Sequence, residues 1–532
     1  MPSPARAVAA DVDVVVIGAG VNGLVCATLL AQAKRRVVLV EALDRAGGLC
    51  ATGEVARGHR VSTFAHLAGP IATALAKALK LQRYGLQFSA KQIATIALSP
   101  DGRHVVLDGD LRHTAQTLGP HSPADSKRWP LFDGRMRKMA QQFERWVQTP
   151  PGGPLEQSGS RGNLFAARGQ SKSSPVDADL ASLLDGSIAD FLDEEFETPL
   201  LKGALAFDAV LGNALGPRSQ GTAFLSVLKN AFDTDTTEGL VHPQGGMGAF
   251  IAALAKAAEA AGVRTRLKSR VAHLLFDAHR VAGVELEGGE AIYAPIVVSS
   301  LDPKTTLLAL GAERHLPFGL KRRLKGFRVQ GCVAKVNLAL NGPPSFKGLD
   351  KRALRDRLII CPSVDHLERA FAACEQGAPS PDPALEVIMP SAHDAALAPP
   401  GQHVLSVHVL YAPYSLAVGS WDKAKDEVLA RVIATLRQHA PDLPDLVLAA
   451  DVYAPPDIER LAGAAGGHWH GGDVSLDQIG PLRPGAGLSR HDTPVPGLYL
   501  CGAGTHPCGG VTGINGRNAA EAVLAGMTMA VS

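Results

Sequence analysis

Three glycines and one acid near the start of the chain have the types and spacing to bind a phosphorylated ligand. The glycines are Gly18, Gly20 and Gly23, in the run GAGVNG, and the acid is Glu41. The first glycine permits a tight turn, the second lets the backbone approach a pyrophosphate, and the third allows a helix to pack closely on a strand. Glu41 is placed to accept hydrogen bonds from a ribose. The pattern indicates dinucleotide binding, and a glycine turn in an ordinary α/β core is the alternative.

The elements predicted around these glycines are those that such a site requires. Residues Asp13–Ile17 (DVVVI) are a β-branched run typical of a buried parallel strand, and a second strand is predicted at Val37–Val40. A helix predicted at about Leu24–Ala33 would direct its N-terminal N–H groups at the phosphates. The predicted fold class is therefore α/β.

A second pattern follows the acid and distinguishes between dinucleotides. Arg45-Ala46-Gly47-Gly48 resembles the extended flavin-binding pattern of glutathione-reductase-like and amine-oxidase-like flavoproteins. The resemblance implies a glutathione-reductase-like Rossmann domain that binds FAD, with Arg45 and Gly48 among the binding residues. No second strand–GxGxxG–helix unit follows in the middle of the chain, so an NAD(P)H domain is not expected. Cys50 stands alone after the motif, which argues against disulfide exchange through a flavin.

A glycine-rich loop in the last part of the sequence is predicted to face the flavin ring. Leu498–Cys501 is a predicted strand, residues 502–513 (GAGTHPCGGVTG) form the loop, and a helix opens at Gly516. A helix N-terminus supplied by glycines can present N–H groups to the pyrimidine carbonyl of a flavin and stabilise the negative charge of the reduced ring. Gly504 and Gly513 are the cofactor-binding candidates in this loop.

Four stretches together resemble the phytoene desaturase-like family of FAD-dependent oxidoreductases, which includes desaturase-like β-carotene ketolases and the pyridine nucleotide-disulfide oxidoreductase domain-containing protein 2 group. They are GAGVNGLVCA from Gly18, PQGGMGAF from Pro243, HGGDVSLDQ from His470 and LYLCGAGTHPCGGVTGINGRNAA from Leu498, and they span nearly the whole chain. The resemblance implies hydride transfer to flavin N5 from C–C or allylic C–H bonds of an apolar, often isoprenoid or carotenoid, substrate.

Two departures bear on the reaction. Amine-oxidase-like enzymes usually place an acid two residues past the equivalent of Cys501, whereas this chain has Ala503-Gly504, as desaturase-like proteins do. This counts against an amine or amino-acid oxidase, and an aromatic content of 5% makes an aromatic cage harder to assemble. Cys508 and Val21 stand where the desaturase-like family more often has Gly and His. A non-catalytic flavin-binding scaffold is the third hypothesis.

Candidate catalytic residues are side chains that could accept a proton while the flavin accepts a hydride. His506 is the first, because it lies in the flavin-facing loop and imidazole titrates near neutral pH; a histidine that only hydrogen-bonds the loop is the alternative. His470, beside Trp469, is the second and would line the substrate side. Cys508 is a further substrate-lining candidate, and a small residue in a glycine position is favoured over a reactive thiol. His242 is assigned a structural role, and no spacing predicts a metal site.

The middle of the chain predicts a second part of the flavin domain. It comprises a helix at Ala249–Ala261, strands at Val263–Leu267, Arg270–Asp277 and Arg280–Glu287, and a core strand at Ile296–Ser300. This order resembles the second flavin-binding segment of the superfamily, in which the backbone near Val271 would meet the adenine. The flavin domain is therefore predicted to comprise residues 1–90, 235–300 and 480–532, and the substrate domain residues 91–234 and 301–479.

The substrate domain is predicted to combine an antiparallel or mixed sheet with helices. Cys332–Leu340 and His403–Tyr411 alternate apolar and polar residues, which predicts half-buried antiparallel strands. A helix is predicted at Asp422–His439 and short consecutive helices at Ser187–Phe232. The short helices could lie on a bilayer, but core packing explains them equally well. Residues 150–175 are rich in Gly, Ser and Pro and predict a mobile loop.

Composition and charge indicate which classes of partner are to be expected. The 532 residues carry 53 basic and 51 acidic side chains, a formal net charge of +2, which gives no electrostatic reason to expect nucleic acid. No run approaches the ~18 apolar residues of a spanning helix, and no secretion signal is recognised. A cytoplasmic protein is expected, and peripheral membrane contact is left open. Without an NAD(P)H site, oxygen or a quinone is expected to accept the electrons; the substrate's identity and the oligomeric state stay open.

Overall fold

The central element of the fold is a parallel sheet that carries the glycine turn. The computed structural model describes residues 12–88, 93–151, 182–233 and 239–529. In chain order the strands are β1 Val14–Ile17, β2 Val37–Val40, β3 Thr52–Ala56, β4 His59–Ser62, β5 Thr95–Ala97, β6 Val105–Leu107, β7 Arg264–Arg266, β8 Val271–Asp277, β9 Arg280–Leu286, β10 Ala291–Tyr293, β11 Ile296–Ser299, β12 Val333–Leu340, β13 Arg357–Ile360, β14 Ala384–Ile388, β15 His403–Leu410, β16 Val447–Tyr453 and β17 Leu498–Leu500. The helices include α1 Val21–Gln32, α2 Pro70–Ala78, α3 Leu111–Leu118, α4 Pro123–Gln148, α5 Ile188–Glu195, α6 Pro199–Val210, α7 Thr222–Asp233, α8 Met247–Ala260, α9 Phe318–Gly326, α10 Val364–Glu375, α11 Pro390–His393, α12 Trp421–His439, α13 Leu443–Leu446, α14 Pro455–Ala462 and α15 Ile514–Met529.

Five short strands form the parallel sheet, in the order β17–β11–β1–β2–β7. Val14 pairs with Ile296 on one side and with Val37 on the other, and every residue of β1, β2 and β11 is buried. Their β-branched side chains favour a strand that is covered on both faces. The predicted strand Val37–Val40 and the α/β class with a Rossmann-type sheet are confirmed.

The helix after the glycine turn begins earlier than predicted. The apolar pattern predicts a start at about Leu24, whereas α1 begins at Val21, directly after Gly20. Gly23 consequently lies inside the first turn of the helix. Hydrophobic periodicity locates the buried face of a helix but not its first turn, where the free N–H groups rather than apolar side chains matter.

The middle block of the chain contributes two strands to the same sheet. β7 pairs with β2 at the edge and β11 pairs with β1, while β8–β10 form a separate three-stranded antiparallel sheet. The preceding helix, α8, begins at Met247 rather than at the predicted Ala249. The parallel sheet thus collects strands that are far apart in sequence. The assignment of flavin and substrate roles to the two groups of segments stays a prediction.

A seven-stranded mixed sheet forms the second large element, in the order β16–β12–β15–β14–β13–β5–β6. The predicted mixed sheet is confirmed, but the prediction that its strands are half-buried is wrong. All eight residues of β12 and seven of the eight in β15 are buried. One face packs on α12 through Val336, Val407 and Val432. The opposite, polar face is covered by the segment that follows β4, so alternating polarity here does not indicate solvent.

A helical lobe lies against the seven-stranded sheet. The consecutive helices predicted at Ser187–Phe232 are confirmed as α5, α6 and α7, which pack with α4 around an apolar cluster that includes Phe143, Phe207 and Phe224. Across the described ranges, no helix is both long enough and apolar enough to cross a bilayer. The loop predicted at residues 150–175 lies outside the described residues, except for its first two positions.

Candidate functional site

The glycine turn presents free backbone donors at the start of α1. The N–H groups of Gly20, Val21 and Asn22 have no hydrogen-bond acceptor in the described part of the chain. A Cβ added to Gly23 would overlap the carbonyl oxygen of Gly18, whereas one added to Gly20 would meet no protein atom within 4 Å. Gly20 therefore borders open space at a helix N-terminus, which is the arrangement that accepts a pyrophosphate.

Glu41 lies at the carboxyl end of β2, beside this turn. One carboxylate oxygen accepts a hydrogen bond from the Ala19 N–H at 2.7 Å, and the other accepts one from the Leu43 N–H at 2.9 Å. Each oxygen keeps a further lone pair, so a ribose hydroxyl could still donate to it. The Ser269 N–H donates to the Glu41 carbonyl, which brings the start of β8, and hence Val271, next to this end of the site.

A cavity adjoins the Arg45–Gly48 segment. It measures about 260 Å³, and its walls include Arg45, Gly48, Thr63, Phe64 and Tyr453. The Gly47 N–H donates to the Ala19 carbonyl, which fixes the segment against the glycine turn. Arg45 and Gly48 therefore line a cavity next to the glycine turn.

The loop between β17 and α15 is held from behind by a buried arginine. Arg483 is 0% exposed, and its guanidinium donates to backbone carbonyls of both the loop and the segment 470–478, among them Ala503 at 3.2 Å, Thr505 at 3.2 Å and Asp473 at 2.8 Å. The N–H groups of Ala503 and Gly504 find no acceptor within the described ranges. These donors fit the pyrimidine end of a flavin. Gly513 has a φ of +71° at the end of the loop.

His506 is packed inside the same loop. It is fully buried, and its Nε2 donates to the Trp146 carbonyl at 2.7 Å. Burial lowers the pKa of His506 to about 3. A nitrogen with so low a proton affinity is a weak acceptor near neutral pH, so the geometry favours the structural alternative. Its predicted role in proton transfer stays a prediction.

His470, Trp469 and Cys508 meet beside the loop. The two ring nitrogens of His470 lie 3.2 Å from the Gly509 carbonyl and 3.1 Å from the Leu211 carbonyl. Burial lowers the pKa of His470 to about 4, and a neutral imidazole can donate to only one of these carbonyls. Burial also raises the pKa of the Cys508 thiol to about 11, which disfavours a reactive thiolate.

Sequence patterns did not identify a group of four buried ionisable residues on the polar face of the seven-stranded sheet. Lys335, Glu386 and His408 lie on β12, β14 and β15, and His66 lies on the segment after β4 that covers them. We call these four residues the buried tetrad; none is more than 5% exposed. The available signal was the polar positions Lys335 and His408 of the two strands predicted from alternation, which the expectation of half-burial placed toward solvent.

The buried tetrad contains a potential metal-ligand set that a lysine already occupies. One donor atom from each of His66, Glu386 and His408 lies within 4.8 Å of the others. Lys335 Nζ, however, lies 2.9 Å from His66 Nδ1 and 3.0 Å from His408 Nε2. An ammonium group or its amine between the two imidazoles competes with a metal cation for the same lone pairs, so the donor set favours proton binding.

The residues present fit FAD. The free donors of the glycine turn suit a pyrophosphate, Glu41 suits a ribose, and the free donors of Ala503 and Gly504 suit the flavin ring. These residues, with Gly18, Gly23, Arg45, Gly48, Val271 and Gly513, are those that would hold the cofactor. Their individual roles stay predictions.

Comparison with known proteins identifies the family. Residues 22–524 match the family model described as flavin containing amine oxidoreductase. Pyridine nucleotide-disulfide oxidoreductase domain-containing protein 2 of Rattus norvegicus is 31% identical, over 97% of this chain and 93% of that protein. A limonene dehydrogenase subunit of Castellaniella defragrans is 27% identical, over 97% and 95%. Phytoene desaturase (lycopene-forming) of Pantoea ananas is 23% identical, over 96% and 98%.

Solved structures share the fold at low identity. An oxidoreductase from Methanosarcina mazei superposes with a TM-score of 0.61 at 16% identity, over 96% of this chain and 100% of that one. A redesigned putrescine oxidase gives a TM-score of 0.59 at 18% identity, over 97% and 99%. At such identities the likeness concerns the fold alone. The family match and the curated relatives confirm the predicted family resemblance and the predicted cofactor: the chain belongs to the flavin containing amine oxidoreductase family and is an FAD-dependent oxidoreductase with phytoene desaturases among its homologues.

Proposed function

We propose that this enzyme dehydrogenates carbon–carbon bonds, at saturated or allylic C–H positions, of an apolar substrate of the isoprenoid type. The names of two relatives, a limonene dehydrogenase subunit and a phytoene desaturase, support the substrate class. FAD supplies a hydride acceptor when it is bound. The protein has to hold the substrate, exclude water and manage one proton.

The observation that carries the proposal is the apolar lobe beside the flavin-facing loop. Cys508 in that loop belongs to the same buried cluster as Phe207 and Phe224 of the helical lobe, and Trp469 packs against this cluster. A substrate that reaches the loop from this side would contact aliphatic and aromatic side chains. Such walls bind hydrocarbon through the area that they remove from water, at roughly 25 cal/mol per Å².

The charges near the loop argue against a cationic substrate. The Asp473 carboxylate is paired with His468 at 2.9 Å and with Arg328 at 3.2 Å, and Glu386 is paired with Arg357. An ammonium substrate needs a carboxylate or an aromatic cage to replace its hydration. Both acids are already neutralised by protein cations, which favours a neutral substrate over an amine.

Oxygen or a quinone is the proposed electron acceptor. Of the four sheets that the described strands form, only the five-stranded sheet is wholly parallel, and the glycine turn of the FAD site belongs to it. A nicotinamide cofactor would need a second dinucleotide fold or the same site. An acceptor that reaches the reduced flavin directly fits this arrangement better.

The test is anaerobic mixing of the FAD-loaded enzyme with phytoene or limonene in detergent micelles, and with putrescine as the matched amine. Loss of the flavin's visible absorbance with an isoprenoid but not with putrescine is the expected result. Mass spectrometry of small molecules released on denaturation should then find FAD together with an apolar compound. Bleaching by putrescine alone would make the protein an amine oxidase, and bleaching by neither class would remove the proposal.

A further inference from the structure

The seven-stranded sheet places three members of the buried tetrad side by side. Lys335 of β12 pairs directly with His408 of β15, and His408 pairs with Glu386 of β14. Directly opposed residues of neighbouring strands point to the same face. His66 closes the group from above, with its ring centroid 3.9 Å from that of His408. The tetrad is therefore built into the most regular part of the fold.

Four hydrogen bonds link the tetrad into a closed ring. His66 Nε2 and His408 Nδ1 lie 3.2 and 2.5 Å from the same Glu386 oxygen, Oε2. An ionised carboxylate only accepts, so both of these nitrogens carry a proton. His66 Nδ1 then accepts from Lys335 Nζ, whereas His408 Nε2 lies 3.0 Å from Lys335 Nζ and also 3.0 Å from the Phe64 carbonyl oxygen, which can only accept. Lys335 Nζ and His408 Nε2 therefore share the position at which the tetrad can hold one further proton.

The surrounding charges direct an added proton to the lysine. Arg357 pairs with Glu386 and also with Asp208, which Lys229 contacts in turn. Burial would raise the pKa of Glu386, but Arg357 and the two histidines outweigh it and hold this pKa well below its usual value. Burial lowers the pKa of Lys335 well below its usual value, and Glu386 opposes that shift. Of these two groups, the lysine is the one whose charged form is disfavoured by burial, so it is the group of the pair that is open to an added proton.

The tetrad lies against two segments of the FAD site. His408 Nε2 is 3.0 Å from the carbonyl oxygen of Phe64, a residue that lines the same cavity as Arg45 and Gly48. On another side, the ring of Trp469 packs on His408 with centroids 4.3 Å apart. A charge that appears in the FAD site would act on the tetrad through His408 and these two neighbours, in a largely buried region where electrostatic effects are poorly screened.

We propose that the buried tetrad takes up the proton that the substrate releases when its hydride leaves. The inference rests on the proposed dehydrogenation. One substrate C–H bond breaks and its hydride goes to FAD; the neighbouring C–H bond breaks, its electron pair completes the C=C bond, and its proton goes to Lys335 Nζ. The substrate is oxidised by two electrons and FAD is reduced by two. When the electrons pass to oxygen or a quinone, the stored proton leaves with them to complete hydrogen peroxide or the hydroquinone.

One consequence does not depend on the substrate. Reduction places negative charge in the site, which raises the proton affinity of nearby groups, so reduction and protonation of the tetrad are linked. Chemical reduction of the FAD-loaded enzyme should therefore take up about one proton more per flavin than the flavin alone requires. The number of protons taken up per flavin is obtained from the pH dependence of the flavin midpoint potential, measured with redox dyes between about pH 6 and pH 9.

The decisive comparison is between the wild type and Lys335→Met. The variant should retain FAD and take up about one proton fewer per flavin over the same pH range. Glu386→Gln preserves the shape of the side chain but removes the charge that favours a protonated lysine, and it should give the same loss. His439→Asn is the control, because it changes a buried histidine at the end of α12, outside the tetrad. It should take up as many protons per flavin as the wild type.

Equal proton numbers in the wild type and in a FAD-loaded variant would overturn the proposal. If neither variant retains FAD, a wild-type enzyme that takes up no extra proton overturns it by itself. The proposed function can fail separately. Extra proton uptake without bleaching by phytoene or limonene would support proton binding by the tetrad and contradict the proposed isoprenoid dehydrogenation. Bleaching by an isoprenoid with equal proton numbers in wild type and variants would support the dehydrogenation and contradict proton binding by the tetrad.

Discussion

Arg483 shows how a single side chain can shape a binding loop that it does not belong to. Its guanidinium is fully buried, and the acid nearest to it, Asp473, contributes only its backbone carbonyl while its carboxylate serves His468 and Arg328. The Ala503 carbonyl accepts from Arg483, and the N–H of the same peptide group, that of Gly504, points the opposite way. The orientation of this free donor of the loop thus depends on a charge behind it.

Replacing this guanidinium should destabilise the loop and weaken FAD binding. Arg483→Met would leave several buried carbonyls without donors, and we expect a loss of about 3 kcal/mol or more in the free energy of unfolding. Arg483→Lys retains part of the donor set and should lose less. Urea denaturation and FAD content after purification measure both effects. A methionine variant as stable as the wild type would contradict this role.

Two glycines of the same turn should respond differently to alanine. The Cβ of Gly20→Ala enters open space, so we expect apoprotein stability close to that of the wild type but weak FAD binding. The Cβ of Gly23→Ala overlaps a backbone carbonyl, so both stability and FAD binding should fall. Apoprotein melting temperatures and FAD titrations separate the two outcomes. Equal melting temperatures for the two variants would show that α1 can shift to make room.

At the scale of elements, the end of α4 is fastened to the loop between β17 and α15 and to α15 itself. His506 donates to the Trp146 carbonyl, and Arg517 of α15 donates to the Gln148 carbonyl at 2.6 Å. The last carbonyls of a helix have no partners within it, so these side chains act as its C-terminal cap. The cap joins the helical lobe to the helix that follows the loop.

Removing one of these caps should loosen the end of the helix without unfolding the protein. For Arg517→Met we expect a loss of about 1 kcal/mol in the free energy of unfolding, typical of a single hydrogen bond. Amide hydrogen exchange should increase in the last turn of α4 and remain as in the wild type in α1. Exchange that rises equally in both helices would indicate a general loss of stability rather than a lost cap.

Elements were predictable where a local pattern has one physical cause. The β-branched runs of β1 and β2 and the spacing of Gly18, Gly20 and Gly23 follow from burial and from close approach to a phosphate, and both were found from sequence. Lys335 and His408 were also visible as the polar positions of alternating strands. Alternation reports that two faces differ but not what covers each face. The cover, His66, comes from about 270 residues away in sequence, and no local pattern contains it.

At the scale of the whole molecule, buried neutral histidines set the response to acid. Burial lowers the pKa of His506 to about 3 and that of His470, His491 and His439 to about 4. In the unfolded chain these groups titrate near pH 6.5. Below that pH the unfolded state binds more protons than the folded state, so stability falls as the pH falls.

Denaturation should therefore become easier between about pH 6.5 and pH 4. Each of these histidines is expected to contribute about 1.4 kcal/mol per pH unit to the loss in the free energy of unfolding. Urea denaturation of the FAD-loaded protein at several pH values checks the slope. His439→Gln should reduce it by one histidine's share, and a slope that stays flat over this interval would contradict neutral burial.

The parallel sheet also sets the order in which the protein can be completed. Its edge strand β17 pairs with β11, and the loop that follows β17 carries the free donors of Ala503 and Gly504. The ribosome completes β1 and β2 some 460 residues before β17. Until β17 is made, the growing chain has the glycine turn in place, but the edge strand β11 still lacks its partner. If Gly504 and its neighbours hold the flavin as predicted, we expect complete cofactor binding only after residue 500 and its neighbours have been translated. A nascent chain stalled before that point would expose an open strand edge to chaperones or to aggregation.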